Sequence, residues 1–321
     1  MASQSTKESL PIAVVFTNLF RNLPRLMLTN LLFAVPLAAF FALFWLLGSL
    51  LPPDGLLQGL LGLLAVIPVF PFYAGVVKIT AKMATGEEKT PVFSNFFSAV
   101  KENFARFLVH GAVFYCAVVF SYVSFNLYLK LLSSSMIFVL PLVITVIIML
   151  VFLFMFFYIP AMTVTFDIPM KYIYKNSFLM SYGELKHNFI GLFGLFLLTV
   201  VSTSLLIACY GSRVAVVIMT VLLVTLLVPA VASFIIHAAV YERMYTMITD
   251  KAAQLDAVNA KIDAKKQQQH AQTREELMDA VRDFEIDEAV PDDEYVYFNG
   301  KMVKNGVMKK LKREAEGLPD E

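Results

Sequence analysis

The four histidines are the residues of this chain best suited to metal or proton-transfer chemistry, but their spacing favours neither. His110, His187, His237 and His270 are scattered, with no paired pattern of the kind that holds zinc. His110 and His237 lie near the ends of apolar segments, where a hydrogen-bonded structural histidine is the usual finding. Asp167 has no evident partner that would give it a catalytic role. With no nucleophile elbow, phosphate-binding loop or dinucleotide fingerprint either, the sequence predicts no enzyme, no metal and no cofactor.

Polar residues inside the apolar segments carry a second chemical signal. The centres of these segments contain no Asp, Glu, Lys or Arg, which ion-coupled transporters usually keep there. Asn30, Asn126 and the run Ser202–Ser204 are the main polar groups at depth. Such residues are typical of hydrogen bonds between helices. A water-filled path lined by Asn126 and Ser202–Ser204 would instead indicate a transporter or a channel.

The elements that carry these residues are predicted to be membrane-spanning helices. The chain has 321 residues, 58% of them hydrophobic, whereas soluble domains are about 45–50% apolar. The excess is concentrated in uncharged runs long enough to cross a bilayer, about 17–25 residues each. We predict an all-α, polytopic membrane protein with six transmembrane helices. They are Leu26–Leu51, Leu56–Val77, Phe107–Leu129, Met136–Ile159, Phe189–Cys209 and Val214–Ile236.

The distribution of Lys and Arg near the ends of these spans predicts the orientation. Fourteen lie in residues 1–25, 78–106, 167–188 and 241–261, against two in the short segments on the other side. Basic residues accumulate on the cytoplasmic side of a membrane. We therefore expect a multi-pass protein of the cell (cytoplasmic) membrane with both termini in the cytoplasm.

Residues 78–106 form the largest charged segment among the spans, and we expect two elements in them. Ala84–Glu88 is predicted to be a turn around Gly86. From Val92 to Phe104 the apolar residues recur at helical spacing, which beside two spans indicates an amphipathic helix in the bilayer interface. In such a helix Phe96 and Phe97 would both face the acyl chains.

A short aromatic-x-Asn-x-Phe pattern occurs three times, each time just before an odd-numbered span. We interpret it as the mark of three repeats, at about 11–78, 90–166 and 170–240, each an interfacial helix followed by a hairpin of two spans. A second alignment places Asn22, Asn103 and Asn188 at the entry to each repeat's first span. The alternative is convergent composition at a membrane interface. The motif residues are Phe16, Asn18, Phe20, Phe93, Asn95, Phe97, Tyr174, Asn176 and Phe178.

A composition change divides the chain into a membrane domain, 1–240, and a cytosolic tail, 241–321. Their net charges are +6 and −5. The tail is predicted to begin as a helix to about Gln269, followed by a second helix from a capping box at Thr273. Asn299–Gly300 then predicts the type I′ turn of a β-hairpin. A lone hairpin is marginal in water, so we expect a partner surface for it. The candidate docking residues are Tyr295, Tyr297, Asn299, Gly300 and Lys301.

Several short motifs, in this order, resemble the YesL-like family of small bacterial membrane proteins. They are Pro71–Gly75 with Lys78, Gly86–Glu88, Pro91–Phe93 with Phe97, Lys101–Phe104, and Glu294–Val303 in the tail. The family is of uncharacterised function. Its members are commonly associated with carbohydrate-uptake ABC transporters, and the resemblance implies the same setting for this chain. The longer helical tail departs from the family pattern.

The resemblance, together with the absence of coupling charges and of an outer domain, favours an accessory or scaffold protein of a carbohydrate ABC transport system. A transporter or channel in its own right is the alternative. A membrane-embedded enzyme would need clustered acidic and histidine side chains at one membrane face. The expected partners are the lipid bilayer and either ABC transporter components or another membrane or cytosolic protein. Nucleic acid is not expected, because neither half has a basic stripe with exposed aromatics. The sequence indicates no oligomeric state.

Overall fold

The computed structural model describes residues 12–51, 55–86, 91–287 and 289–317. Most of the short segment predicted between the first two spans, residues 52–55, and the end of the predicted turn, Glu87–Glu88, lie outside these residues. Gly86 does adopt the positive φ expected of that turn, at 83°. The chain divides into two compact units, Met1–Met247 and Ile248–Glu321, which are described separately.

Helices make up the described part of the first unit. In chain order they are α1 Ile12–Arg21, α2 Leu23–Ser49, α3 Gly55–Leu64, α4 Val66–Ala84, α5 Val92–Leu131, a 3₁₀ turn Met136–Phe138, α6 Val139–Thr165, α7 Met170–Gly183, α8 Leu185–Ala208, α9 Arg213–Leu222, a π-helical segment Leu223–Leu227, and α10 Val228–Arg282, which continues into the second unit.

Among the described residues, six helical segments are long and apolar enough to cross a membrane. Each overlaps one of the predicted spans, so the prediction of a helical, multi-pass membrane protein is confirmed at that level. The segments are Leu23–Ser49, Gly55–Ala84, Val92–Leu131, Met136–Thr165, Leu185–Ala208 and Arg213–Gln267.

Helix α4 lies at the centre of the first unit, where it packs against α2, α5 and α6. In the most apolar stretch of the α3–α4 span 44% of the residues are buried, against 6–22% in the other five. Its residues Val76 and Ile79 share a core with Leu26 of α2, Phe96 of α5 and Phe234 of α10. Lipid tails are as apolar as these side chains, so close packing rather than removal from water holds such a core together.

The interfacial helix predicted at Val92–Phe104 is not a separate element. It forms the first part of α5, a continuous helix of 40 residues, because no Gly or Pro interrupts residues 92–110. At 1.5 Å per residue this helix is about 60 Å long, twice the hydrocarbon thickness. The sequence predicted that Phe96 and Phe97 would both face the acyl chains, and for Phe96 this was wrong. Phe97 is exposed, whereas Phe96 is fully buried and its ring lies against Gly75.

Asn30 joins α2 to the point where the last span changes its helical geometry. Its side-chain amide donates to the Val224 carbonyl at 2.8 Å, and its side-chain oxygen accepts from the Ala230 amide at 2.9 Å. Pro229 lies between these two partners and lacks a backbone N–H, which breaks the normal hydrogen-bond ladder. The expected role of Asn30 as an interhelical hydrogen-bonding residue is confirmed.

The second unit contains the end of α10, a two-stranded sheet and a final helix. Strands β1 Tyr295–Phe298 and β2 Lys301–Lys304 pair antiparallel, and α11 Asn305–Glu316 follows. Asn299 and Gly300 have φ of 44° and 82°, which confirms the predicted turn. The predicted helix start at Thr273 was wrong: α10 runs unbroken to Arg282, because a residue that can cap a helix can equally lie inside a longer one.

Candidate functional site

The nine residues of the repeated aromatic pattern lie on three helices, α1, α5 and α7, and do not share one environment. Phe16, Phe20, Phe93, Phe97 and Phe178 are exposed, while the asparagines are buried or half-buried. Asn18 accepts a hydrogen bond from Arg21, but Asn95 donates to the Pro91 carbonyl. The pattern therefore marks similar positions rather than one repeated binding site.

The second alignment has a clearer structural counterpart. Asn22, Asn103 and Asn188 are all buried, and each side-chain amide donates to a backbone carbonyl of the preceding segment. Asn22 and Asn103 donate to the residue four positions earlier, at 2.9 and 3.1 Å. Asn188 donates to Met180 and Ser181, both at 3.0 Å. Asn22 and Asn103 thus make the same local bond, whereas Asn188 reaches across the break between α7 and α8.

Helices α5, α6 and α7 are joined by a hydrogen-bonded chain around the fully buried His110. Its Nδ1 lies 2.7 Å from the Tyr174 hydroxyl and its Nε2 lies 2.9 Å from Thr163 Oγ1. Thr163 donates its own proton to the Ile159 carbonyl, so it accepts from Nε2. Burial raises the pKa of Tyr174 to about 12, so the phenol keeps its proton and donates to Nδ1. With both nitrogens bonded, His110 has the structural role expected of it.

A charged cluster that the sequence did not reveal joins α10 to the α7–α8 junction. The buried Glu184 carboxylate contacts Arg243 Nη2 at 2.9 Å and His187 Nδ1 at 2.9 Å. Burial disfavours the charged form of Glu184, but the hydrogen bond and charge of Arg243, with a further contribution from His187, outweigh it and lower the pKa of the carboxyl. The available signal for this cluster was the position of Glu184, an acidic residue between two helices whose other charged residues are lysines.

Asp167 was expected to have no partner, and this was wrong. It accepts a hydrogen bond from Arg106 at 3.1 Å, although its side chain is 97% exposed. The pair is an ordinary surface ion pair, for which we see no catalytic role.

A cavity of about 530 Å³ opens where the C-terminal ends of α4 and α6 meet residues 237–246 of α10. Its lining is mixed polar and apolar. Lys78 and Lys82 contribute ammonium groups, Glu242 contributes a carboxylate, and the remaining polar lining comes from Thr85, Thr165, His237, Tyr241, Tyr245 and Thr246. Behind it, Thr80 Oγ1 lies 2.8 Å from Ser233 Oγ and 2.9 Å from His237 Nδ1. Both lysines belong to the charged segment 78–106. Their spacing of four residues places them on the same face of a helix, and this was the available signal for the cavity.

A second cavity, of about 590 Å³, lies between α5 and α6 and is almost entirely apolar. Phe114, Phe125 and Phe156 are among its lining residues. Asn126 and Ser202–Ser204 line neither of the two cavities. Asn126 and Ser204 each donate to a carbonyl four residues earlier in their own helix. Neither cavity is therefore the water-filled path, lined by Asn126 and Ser202–Ser204, that would indicate a transporter or a channel.

The predicted docking hairpin is part of a folded unit rather than an isolated element. Phe298 packs against Phe284 with ring centroids 5.3 Å apart, and Asn305 Nδ2 donates to the Val290 carbonyl at 2.7 Å. Val281 of α10 and Met308 of α11 are fully buried. Helix α11 was not predicted, although the amphipathic pattern of Asn305–Glu316 indicates it.

The strand register separates the predicted docking residues onto two faces. Tyr295 pairs with Lys304, and Tyr297 pairs with Met302. These four side chains share one exposed face, with Tyr297 69% exposed and the Lys304 ammonium 5.9 Å from the centre of the Tyr295 ring. Lys301 pairs with Phe298 and belongs to the other face. Asn299 and Gly300 form the turn.

Within the described part of the chain, no group of three or more His, Cys, Asp or Glu side chains could hold a metal ion.

Comparison with known families gave one match. Residues 26–125, under a third of the chain, match a family described as protein of unknown function, DUF624. The matched region runs from α2 into α5 and contains Lys78 and Lys82 of the polar cavity, but it excludes the second unit. No match was found among curated proteins or solved structures.

Proposed function

We propose that this protein is an integral accessory or scaffold protein of the cell membrane, which binds a component of a carbohydrate-uptake ABC transport system through its C-terminal unit. The observation that carries the proposal is the exposed hairpin face formed by Tyr295, Tyr297, Met302 and Lys304. The resemblance to the YesL-like family supplies the transport system.

The packing behind the hairpin supports its use as a binding surface. The Asn299–Gly300 turn, the Phe284–Phe298 contact and α11 hold the strands from behind. A preorganised surface loses less conformational entropy on binding. Exposed tyrosines on such a surface are suitable anchors, because aromatic hot spots contribute about 2 kcal/mol or more each.

The proposed arrangement in the membrane is three helical hairpins with both termini in the cytoplasm. The excess of Lys and Arg on one side supports the orientation. A buried asparagine that donates to an earlier backbone carbonyl in each unit, Asn22, Asn103 and Asn188, supports a threefold repeat. We further propose that α1, the first part of α5, and α7 lie at the level of the lipid headgroups. Their exposed Phe residues support this placement.

The test combines growth with site-specific crosslinking. Cells carrying Tyr295→Ser with Tyr297→Ser should grow on a panel of oligosaccharides like cells that lack the protein. Val307→Ser, which changes another exposed apolar residue of the same unit, should grow like wild type at matched membrane levels. A photoreactive amino acid at position 297 should crosslink to an ABC transporter component. Wild-type growth of the tyrosine variant on every sugar, with no such crosslink, would refute the proposal.

A further inference from the structure

We propose that the cavity between the ends of α4 and α6 and residues 237–246 of α10 is a binding site for a phosphate-bearing anion. The site is distinct from the hairpin face and does not depend on the function proposed for it. Its volume, about 530 Å³, falls within the range of about 300–1,000 Å³ typical of small-ligand pockets.

The two lysines supply the positive charge of the site. Lys78 and Lys82 are one helical turn apart on α4, so both side chains leave the same helix face. Lys78 donates one hydrogen bond to the Val164 carbonyl at 3.1 Å. An ammonium group has three donors, so Lys78 can cap the end of α6 and still bind a phosphate oxygen.

The depth of the lysines suits a phosphate at the membrane surface. They lie in the last two turns of the span that ends at Ala84, and α6 ends nearby at Thr165. Basic pockets between transmembrane helices at the cytoplasmic surface are recurrent sites for anionic headgroups. Ionisable residues facing a bundle interior are otherwise costly and mark functional sites.

The rest of the lining is largely polar and includes one acidic side chain. Thr165 and Tyr241 line the space with hydroxyls 3.3 Å apart, whereas Thr85 and Thr246 donate their hydroxyl protons to the carbonyls of Lys82 and Glu242. Glu242 is the opposing charge. Among the described lining residues, two ammonium groups stand against one carboxylate, which favours an anionic ligand such as a phosphodiester or a small phosphate monoester.

The chemistry has two possible sources, a lipid headgroup or a soluble phosphorylated compound, and the probes separate them. The full-length protein, purified in a neutral detergent, would be titrated with dihexanoyl phosphatidylglycerol, dihexanoyl phosphatidylcholine and sn-glycerol 3-phosphate, with binding measured by calorimetry. Tighter binding of phosphatidylglycerol than of the other two identifies a lipid site. Equal binding of glycerol phosphate and phosphatidylglycerol identifies the soluble source.

Three variants assign the binding to the cavity. Lys78→Gln with Lys82→Gln should weaken phosphatidylglycerol binding by about tenfold or more, because each loses a charge-assisted hydrogen bond. Lys171→Gln with Lys175→Gln is the matched control: these lysines are also four residues apart, but they are exposed on α7 and should leave the affinity unchanged. Glu242→Gln should raise the affinity, since it removes the opposing charge.

Two results would overturn the proposal. One is that neither phosphatidylglycerol nor glycerol phosphate binds more tightly than phosphatidylcholine. The other is an equal loss in the two double-lysine variants, which would mean attraction to the surface as a whole. If the Lys78–Lys82 variant does not fold, Lys82→Gln and Glu242→Gln decide the matter, and unchanged affinity in both contradicts the site.

Discussion

Close packing at the centre of the membrane unit depends on individual small residues. Gly75 of α4 lies directly against the ring of Phe96, and a methyl group added at Gly75 would overlap that ring. Phe96 is fully buried, so the ring has no open space into which it could move. The pair fixes how closely α4 and α5 approach each other.

We expect Gly75→Ala to destabilise the protein by about 1–3 kcal/mol, the usual range for overpacking a core. The measurement is thermal unfolding in detergent. Gly62→Ala is the matched control, because a methyl group there meets no other atom within 4 Å and alanine is the better helix former. It should leave stability unchanged or raise it. Equal stability of Gly75→Ala and wild type would refute the packing role of this glycine.

The burial of Phe96 illustrates what residue-level patterns in a sequence leave undetermined. Phe96 and Phe97 are adjacent in an aromatic segment, and periodicity alone assigned both to the lipid. Adjacent side chains on a helix point about 100° apart, so Phe96 and Phe97 cannot both face the lipid squarely. Which one faces inward depends on Gly75, twenty-one residues earlier, and on the packing of α4 against α5. The Asn299–Gly300 turn was predictable because its geometry is local.

At the scale of elements, the Glu184–Arg243 pair connects α10 to the junction of α7 and α8. The carboxylate is buried, whereas the Arg243 side chain is 48% exposed. His187 Nδ1 is the other partner of the carboxylate, and the Tyr158 hydroxyl also lies close enough to interact electrostatically. The pKa of Glu184 is lower in the folded protein than in the unfolded chain. Its contribution to stability is therefore present above the unfolded pKa and is lost as the pH falls through the folded pKa.

We expect Glu184→Gln to cost about 1–2 kcal/mol at neutral pH, less than a fully buried pair because solvent screens Arg243. The difference from wild type should shrink as the pH falls below the ordinary carboxyl range, because the wild-type carboxylate then takes up a proton. Thermal unfolding at several pH values measures this. Asp167→Asn, which removes an exposed ion pair, should have little effect at any pH. A Glu184→Gln difference that stays constant with pH would contradict the assignment.

The number of membrane spans could be predicted from the sequence, but the boundaries and mutual packing of the helices could not. The apolar runs predicted the number of spans, because length and absence of charge suffice for that. The boundaries between an interfacial segment and a span could not be predicted in α5, where helix propensity continues through both parts. The cavity between α4, α6 and α10 could not be predicted either, because its lining residues come from three helices and span more than 150 residues in the chain.

At the scale of the whole molecule, both proposals depend on which side of the membrane the helix ends face. The hairpin can meet a transporter's cytoplasmic component only if the second unit is cytoplasmic. The lysines of the cavity can meet an anionic inner leaflet only if α4 ends on that same side. Both requirements follow from six crossings with the two termini on the cytoplasmic side.

Reporter fusions test this topology most directly. Green fluorescent protein and alkaline phosphatase would each be fused after Thr249 and after Gly55, and expressed in a bacterial host. We predict fluorescence and no phosphatase activity after Thr249, and phosphatase activity without fluorescence after Gly55. Phosphatase activity after Thr249 would place the second unit outside, and would contradict the orientation and both proposals that depend on it.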